Sequence, residues 1–372
     1  MDPLTHLMTG AVLARTGFNR RAAYATLAMT LAAEAPDLDY LWSIGGPVAA
    51  FQHYRGWTHT FLGLQFEAAL VVALIYLFHH WRKRRATPLP KLLAKPPAAP
   101  IRWGLLWLFS LIALGSHLLL DYTNNYGLRP FAPFDTHWHA ASIVFIVEPV
   151  ILLLLLLALI APSLFGLINS EVGTRKATFR GRGWAIFALT GIVALWSFRW
   201  YEHARAEQLA YAEDYGAEVI SVNASPFPIN PFQWHVVVET PLFYQLVTVD
   251  TLTGTLATSQ QADVFYKPPT TLATLAAKRS WLGEVYLDWS QIPLVTEAAA
   301  AAPDPAPDPA PDPDPGDPVI PGSRTLVTFR DLRFFYDTTF LDGRTHPPHT
   351  GSVTVDQDRK VVRMEMNGSV QK

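Results

Sequence analysis

Histidine and aspartate recur at short spacings in the first third of the chain. His117 and Asp121 are four residues apart, so a helix would place the imidazole and the carboxylate on one face. Pro36 precedes Asp37 and Asp39, two carboxylates at the end of a helical segment, which repel each other unless a cation lies between them. Imidazole and carboxylate are the ligands of divalent metals such as zinc. These spacings therefore predict a metal site.

A second group of candidates surrounds a glycine turn. His53, Arg55 and His59 are close in sequence, and Thr58 is suited to cap the helix that follows. An arginine beside a helix N-terminus is typical of an anion site. Arg55 and Asp39 are the candidate catalytic residues. The predicted metal ligands are His6, Asp37, Asp39, His53, His59, His117 and Asp121.

The composition limits both the metal chemistry and the class of protein. The chain has no cysteine, which excludes thiolate ligands, iron–sulfur clusters and disulfides. Half of the residues are hydrophobic and only 16% are charged, a balance that favours a membrane protein. Net charge is close to zero and no basic stripe stands out away from the membrane ends, so nothing indicates nucleic acid as a partner.

Several apolar stretches are long enough to cross a hydrocarbon core about 30 Å thick. The predicted spans are Phe61 to Phe78, Trp103 to Leu120, Ala141 to Phe165 and the slightly weaker Trp184 to Trp200. A shorter helical pair, Leu4 to Arg15 and Ala22 to Ala35, precedes them. Whether this pair crosses the membrane is left open by its length.

Lysine and arginine are concentrated in two of the connecting loops, and such loops usually stay in the cytoplasm. These residues are Arg82, Lys83, Arg84, Arg85, Lys91 and Lys95 in one loop, and Arg175, Lys176, Arg180 and Arg182 in the other. The segments with only Arg55 or only Arg129 then lie outside. On this topology the candidate ligands meet at the outer face of a bacterial inner membrane, and everything after Trp200 is periplasmic.

The distal part of the chain has the alternation and turn residues of strands. The clearest runs are Trp234 to Glu239, Leu242 to Asp250 and Thr325 to Phe335, and an Ala/Pro/Asp tract at Ala298 to Pro318 separates them. We therefore expect an α-helical polytopic membrane domain with a C-terminal β-rich extracytoplasmic domain. The predicted divisions are a transmembrane domain at 1–200, β-rich parts at 201–296 and 321–372, and a disordered insertion at 297–320.

Other ionisable residues leave alternatives open. Glu67 and Glu148 lie in predicted spans, where they either line the same site or are protonated or hydrogen-bonded locally. His137 and His139 either complete the ligand set or belong to an outer loop, and the loop is the favoured interpretation.

In this order the motifs resemble the membrane-bound metal-dependent hydrolase family, also called YdjM-like. The matching positions are His6, Pro36 to Asp39, Arg55 to His59, His117 to Asp121, Gly127, and Phe131 to Pro133. In many members a histidine directly precedes the arginine, whereas this chain has Tyr54 there and His53 one place earlier. The resemblance implies a metal-dependent hydrolase in the membrane.

The predicted activity is hydrolysis of an ester or phosphoester by a water that a divalent metal, zinc first, activates. Arg55 would hold an anionic substrate, which at the membrane surface suggests a lipid-linked or phosphate-containing ester. One alternative is a scaffold that the metal stabilises and whose periplasmic domain binds a partner. A transporter in which Glu67 and Glu148 line a pathway is the other.

Overall fold

A computed structural model describes residues 1–85, 99–171, 181–257, 263–300, 324–338, 341–343 and 347–372. The predicted insertion lies outside these residues, except for its start, where Ala298 and Ala299 end a strand. Lys91 and Lys95 of the first basic loop are also outside them, as is the second basic loop up to Arg180.

The N-terminal region is helical. Its helices are α1 (Pro3–Arg15), α2 (Ala25–Glu34), α3 (Pro47–His53), α4 (Gly63–Arg85), α5 (Trp103–Thr123), α6 (Pro149–Glu171) and α7 (Arg182–Tyr211). Short 3-10 helices at Phe18–Arg20, Ala35–Gly45 and Trp57–His59 connect some of them. Helices α4, α5 and α7 are, within the described part of the chain, long and apolar enough to cross a membrane, and the apolar segment Pro149–Phe165 of α6 is shorter.

The predicted start of the third span at Ala141 is wrong, because residues 141–148 are not helical. Their backbone is instead bonded to the end of α5: the Ala141 N–H donates to the Tyr122 carbonyl at 2.7 Å, and the Ile143 N–H to the Thr123 carbonyl at 2.9 Å. The helix begins at Pro149, a residue whose fixed φ and missing N–H suit the first helical position.

The predicted cap at Thr58 is also wrong. Helix α4 begins at Gly63, whose N–H donates to the Thr60 hydroxyl at 2.9 Å. The Thr58 hydroxyl lies 3.0 Å from Nδ1 of His59 instead. Thr60 therefore caps the start of α4, whereas Thr58 contacts His59.

Helix α1 begins with a side-chain cap and packs closely on α2. The Asp2 carboxylate accepts the Thr5 N–H at 3.0 Å, and Pro3 occupies the first turn. Gly10 lies against the α2 backbone, because a Cβ atom there would meet the Met29 carbonyl and the Ala33 side chain. Small residues allow such close approach of helices in membrane proteins. This packing carries the buried His6 to the end of α2.

The C-terminal region is rich in β-strands. A first antiparallel sheet has the order β1 (Ser221–Pro226), β2 (Gln233–Glu239), β3 (Phe243–Asp250) and β4 (Thr255–Ala257), and β5 (Val264–Tyr266) also pairs with β3. A second has the order β12 (Ser369–Val370), β11 (Val361–Met366), β10 (Gly351–Val355), β7 (Thr325–Asp331) and β6 (Pro293–Ala299). Strands β8 (Asp337–Thr338) and β9 (Leu341–Asp342) pair with each other.

Two helices, α8 (Leu272–Lys278) and α9 (Trp281–Trp289), pack against the second sheet. The apolar cluster under them also includes Val48 and Tyr126 from the helical region, so the two regions share one core. The strand predicted at Thr325 to Phe335 ends earlier, at Asp331, whose carboxylate accepts the Arg333 N–H at 3.0 Å and starts a 3-10 turn. The coarse prediction of helices followed by a β-rich region is confirmed.

The α1/α2 contact generates a stability prediction. We expect Gly10→Ala to lower the free energy of unfolding by about 1–3 kcal/mol, because the added methyl group overpacks the helix contact. Thermal unfolding of the full chain in detergent measures this. Gly115→Ala in α5 is the matched control, since its Cβ meets nothing within 4 Å and alanine is the better helix former. Equal melting temperatures for the two variants would contradict the close packing.

Candidate metal centre

His117 lies fully buried in α5, and its ring orientation is set by the backbone of α2. Its Nδ1 is 2.7 Å from the carbonyl oxygen of Ala33, so Nδ1 carries the proton that it donates there. Nε2 is then left as a lone-pair donor directed into the cluster. Metal-ligating histidines commonly have their second nitrogen held in this way.

His59 and Asp121 meet His117 at distances that fit a bound ion. Nε2 of His59 is 3.1 Å from Nε2 of His117, and the Asp121 Oδ2 atom is 3.3 Å from the first and 3.4 Å from the second. Bonds of about 2.0–2.1 Å in a tetrahedral zinc site separate ligand atoms by about 3.3 Å. Asp121 Oδ2 is buried and has no hydrogen-bond partner within the described part of the chain, as expected for an atom that faces a cation. These three residues therefore form a group that could hold a metal ion.

His6 and Asp37 form a second such group with the same His117. The His6 and His117 rings stack with their centroids 3.6 Å apart, and Asp37 Oδ1 is 3.7 Å from His117 Nε2. Because Nδ1 of His117 is bonded to Ala33, a single nitrogen serves both groups. The two groups cannot each hold an ion at the same time, since one imidazole nitrogen binds one ion. They are therefore two possible ligand sets of one centre.

Arg55 is buried beside this centre and binds Asp121. Its Nη2 donates to Asp121 Oδ1 at 2.6 Å, and its Nη1 donates to Asn124 Oδ1 at 3.1 Å and to the Gly127 carbonyl at 2.9 Å. Arg55 has φ of 53°, a left-handed conformation that is strained for a residue other than glycine. The Asp39 carboxylate holds this conformation by accepting the Arg55 N–H at 2.6 Å.

Burial also shifts the proton affinities of groups before the first span. Burial raises the pKa of Asp39 to about 7, although the hydrogen bond from the Arg55 backbone opposes this shift. Burial lowers the pKa of His59 well below its ordinary value, and the neighbouring His117 and Arg55 add to the decrease. A neutral His59 is the form that binds metals.

The two predicted aspartates face different groups. Asp37 and Asp39 lie in the 3-10 helix Ala35–Gly45, where side chains two residues apart point about 120° apart around an axis with about three residues per turn. Asp37 approaches the histidine nitrogens, whereas Asp39 Oδ2 is 3.6 Å from Nδ1 of His59 and bonded to Arg55. Neither group that could hold an ion includes Asp39.

Other predicted candidates are placed elsewhere. The His53 ring stacks on Trp42 at 4.0 Å between centroids and is in neither ligand group. His137 lies on an exposed loop, bonded to Asp135 at 2.6 Å, in agreement with the favoured loop interpretation. Glu148 forms a buried ion pair with Arg199 at 2.8 Å, so local pairing accounts for this carboxylate.

Glu67 lies in α4, and its two carboxylate oxygens are buried with no hydrogen-bond partner among the residues that the structure describes. Glu67 belongs to neither ligand group.

The sequence interpretation missed several groups that complete the centre. Asn124 and Tyr126 were not among the candidates, and Tyr126 places its ring 5.0 Å from the Arg55 guanidinium. A signal was present, since two asparagines follow the apolar α5 directly at its end. The Ala33 carbonyl carries no signal of its own in the sequence. The Met1 amine also contacts Asp121 and lies 3.0 Å from His6 Nε2.

Comparison with known proteins shows the family to which the helical region belongs. The chain belongs to the YdjM inner membrane protein family, whose model matches residues 1–206. A Bacillus subtilis (strain 168) protein described as uncharacterized protein YfhP is 27% identical over 159 residues, which are 41% of this chain and 43% of that protein. The chain therefore matches less than half the length of that relative. No solved structure matches the chain significantly.

His117 belongs to both ligand groups, so loss of its side chain should impair metal binding. We expect His117→Ala to weaken Zn²⁺ binding by more than about 100-fold, beyond the range typical of residues that only orient a ligand. His53→Ala is the matched control and should retain wild-type affinity, because its ring stacks on Trp42 outside the ligand groups. Zinc titration of the purified full chain measures both. Equal losses in the two variants would exclude the centre described above.

Proposed function

We propose that the chain is a metal-dependent hydrolase of the inner membrane, with one ion held by His59, His117 and Asp121. The observation that carries the proposal is the 3.1–3.4 Å triangle of ligand atoms, in which the Asp121 oxygen has no hydrogen-bond partner among the residues described. Three protein ligands are the number typical of catalytic zinc sites, which keep a further position for water or substrate. Family membership supports the membrane location.

A zinc ion at this centre would supply a water of lowered pKa and polarise the scissile ester or phosphoester. Among the ligand candidates, Asp37 has the more accessible side chain, at 18% exposure against 1% for Asp121. Its Oδ2 atom is buried and has no hydrogen-bond partner in the ranges that the structure describes. We assign Asp37 to accept a proton from a water at the centre. Asp39 acts on the positions of Arg55 and His59 and is therefore a positioning residue.

The charge and contacts of Arg55 support the proposal of an anionic substrate. Its charge lies beside Asp121, and its Nε has no hydrogen-bond partner among the described residues. A phosphate-containing or lipid-linked ester fits this charge and a centre at the membrane surface. The outer-face location rests on the basic residues that end α4 and on the absence of such a cluster beside Arg55. The domain divisions given above, with the β-rich region in the periplasm, complete this proposal.

A metal-stabilised scaffold is the second candidate function. The favouring observation is the burial of the centre, since His6, His59, His117 and Asp121 are all buried. Closed sites are typical of structural metals. A transporter is less well supported, because the Glu148 carboxylate that would line a pathway is paired with Arg199.

The hydrolase proposal predicts turnover that depends on both metal and Arg55. Purified full chain in vesicles of anionic phospholipid should release product from phosphodiester or acyl-ester lipids when Zn²⁺ is present, and chelation should stop it. Arg55→Lys should lower kcat/KM by about 10–100-fold, because an ammonium cannot replace the fork that binds Asp121, Asn124 and Gly127. His53→Ala should retain wild-type turnover.

Metal-dependent stability without turnover on any of these lipids would favour the scaffold over the hydrolase. Turnover that persists after chelation and in His117→Ala would contradict both candidates, since neither could then depend on the centre.

The topology can be tested because the chain has no cysteine of its own. We expect Asp358→Cys, in the exposed turn between β10 and β11, to react with a membrane-impermeant maleimide on intact cells. Arg84→Cys, exposed at the end of α4, should react only after the cells are opened. Both substitutions replace exposed charged residues, so they form a matched pair. The reverse labelling pattern would place the β-rich region in the cytoplasm.

A further inference from the structure

A short loop after α5 joins the metal centre to the C-terminal β-rich region. This loop, Asn124–Gly127, begins three residues after the candidate ligand Asp121, and Asn124 Oδ1 accepts the N–H of Tyr126 at 2.9 Å. Asn124, Asn125 and Tyr126 are all buried. The loop is therefore an ordered part of the interior.

Successive carbonyl groups of the loop bind side chains from three distant parts of the chain. The Asn125 carbonyl accepts from Arg333 Nη1 at 2.7 Å, and the Tyr126 carbonyl accepts from Trp289 Nε1 at 3.2 Å. The Gly127 carbonyl accepts from Arg55 Nη1 at 2.9 Å. Two of these donors belong to the β-rich region and the third belongs to the metal centre.

The donors from the β-rich region are themselves held in place. Arg333 donates Nε and Nη2 to the two oxygens of Asp331 at 3.0 and 2.8 Å, and both side chains are fully buried. Asp331 also accepts from the Ser290 hydroxyl at 2.7 Å. Paired, planar contacts of this kind fix the guanidinium direction. Trp289 packs on the Tyr126 ring at 4.9 Å between centroids.

The Tyr126 ring connects the fixed loop to the metal centre, because it contacts Arg55. Its centroid lies 5.0 Å from the Arg55 guanidinium carbon, a cation–π contact in a buried setting. Arg55 thus has two hydrogen bonds and one ring contact with the loop, and one hydrogen bond with Asp121. A displaced loop would move the guanidinium relative to a carboxylate that belongs to the ligand group.

We propose that Trp289 and Arg333 are positioning residues for Arg55, so that the β-rich region completes the metal centre by fixing the 124–127 loop. The inference rests on the proposed metal-dependent function. It assigns to the C-terminal region a role in the geometry of the centre. Contacts with these carbonyl groups are not expected of a separate domain that only binds a partner.

The test compares two loop variants with a matched control in the full-length chain. Trp289→Phe removes one N–H and keeps an aromatic ring. The double variant Arg333→Met with Asp331→Asn removes the ion pair without leaving a buried charge unpaired. Arg199→Met with Glu148→Gln is the control, because it removes a second fully buried ion pair whose arginine also binds a backbone carbonyl, that of Phe227.

Co²⁺ is the probe, since its visible absorption reports the geometry of its ligands. We expect both loop variants to change the Co²⁺ spectrum and to weaken Co²⁺ binding by about 3–30-fold, within or below the range for residues that orient a ligand. The control pair should lower the melting temperature while its Co²⁺ spectrum stays as in the wild type. A double-mutant cycle of Trp289→Phe with Arg55→Lys should be non-additive, since both act through one loop.

The outcomes separate the two proposals. A wild-type chain that binds no Co²⁺ or Zn²⁺ stoichiometrically would overturn the proposed function and this inference together. Normal Co²⁺ binding in the wild type, with loop variants indistinguishable from the Arg199 control, would overturn the positioning role alone. Additive effects in the cycle would also overturn it, because Arg55 and Trp289 would then act independently.

Discussion

The buried ion pair between Arg55 and Asp121 determines much of the surrounding architecture. Removing a carboxylate from water costs several kcal/mol unless an opposite charge and hydrogen bonds replace the solvent. One oxygen of Asp121 has the Arg55 guanidinium at 2.6 Å, while the other faces the Nε2 atoms of His59 and His117. The first oxygen is thus neutralised by the protein itself. The second oxygen has no hydrogen-bond partner among the described residues, so together with the two neutral imidazole nitrogens it could bind a cation.

A buried arginine needs hydrogen-bond acceptors for both its backbone N–H and its guanidinium. Arg55 is buried in a left-handed conformation, so its N–H needs an acceptor from the protein, and Asp39 provides one. The head of the side chain needs further acceptors, which the 124–127 loop supplies through Asn124 and Gly127. That loop can offer these acceptors in one place because its neighbouring carbonyls are bound by Arg333 and Trp289. The constraint therefore extends from the membrane helices into the β-rich region.

The sequence was sufficient where the site depends on local geometry. The spacing of His117 and Asp121 fixes their common face through helix periodicity, and the residues of the glycine turn bring Arg55 near His59. It was insufficient where the contact joins distant segments through backbone atoms. No residue type marks the Ala33 carbonyl as the partner of His117, and the pairing of Glu148 with Arg199 depends on how α6 and α7 pack. Similarly, residues 141–148 are as apolar as a span, yet their N–H groups are bonded to the end of α5.

The divergence of Asp37 and Asp39 bears on how such a centre can be both closed and reactive. In an α-helix, side chains two residues apart point in nearly opposite directions, about 160° apart, whereas in a 3-10 helix they point about 120° apart. Asp39 can then hold Arg55 and approach His59 while Asp37 keeps some contact with solvent. The Asp37 side chain is 18% exposed beside the candidate ligands, and its buried Oδ2 atom has no hydrogen-bond partner among the described residues. This arrangement gives a buried ligand triangle one accessible acid, and it is the feature of the centre that best agrees with hydrolysis.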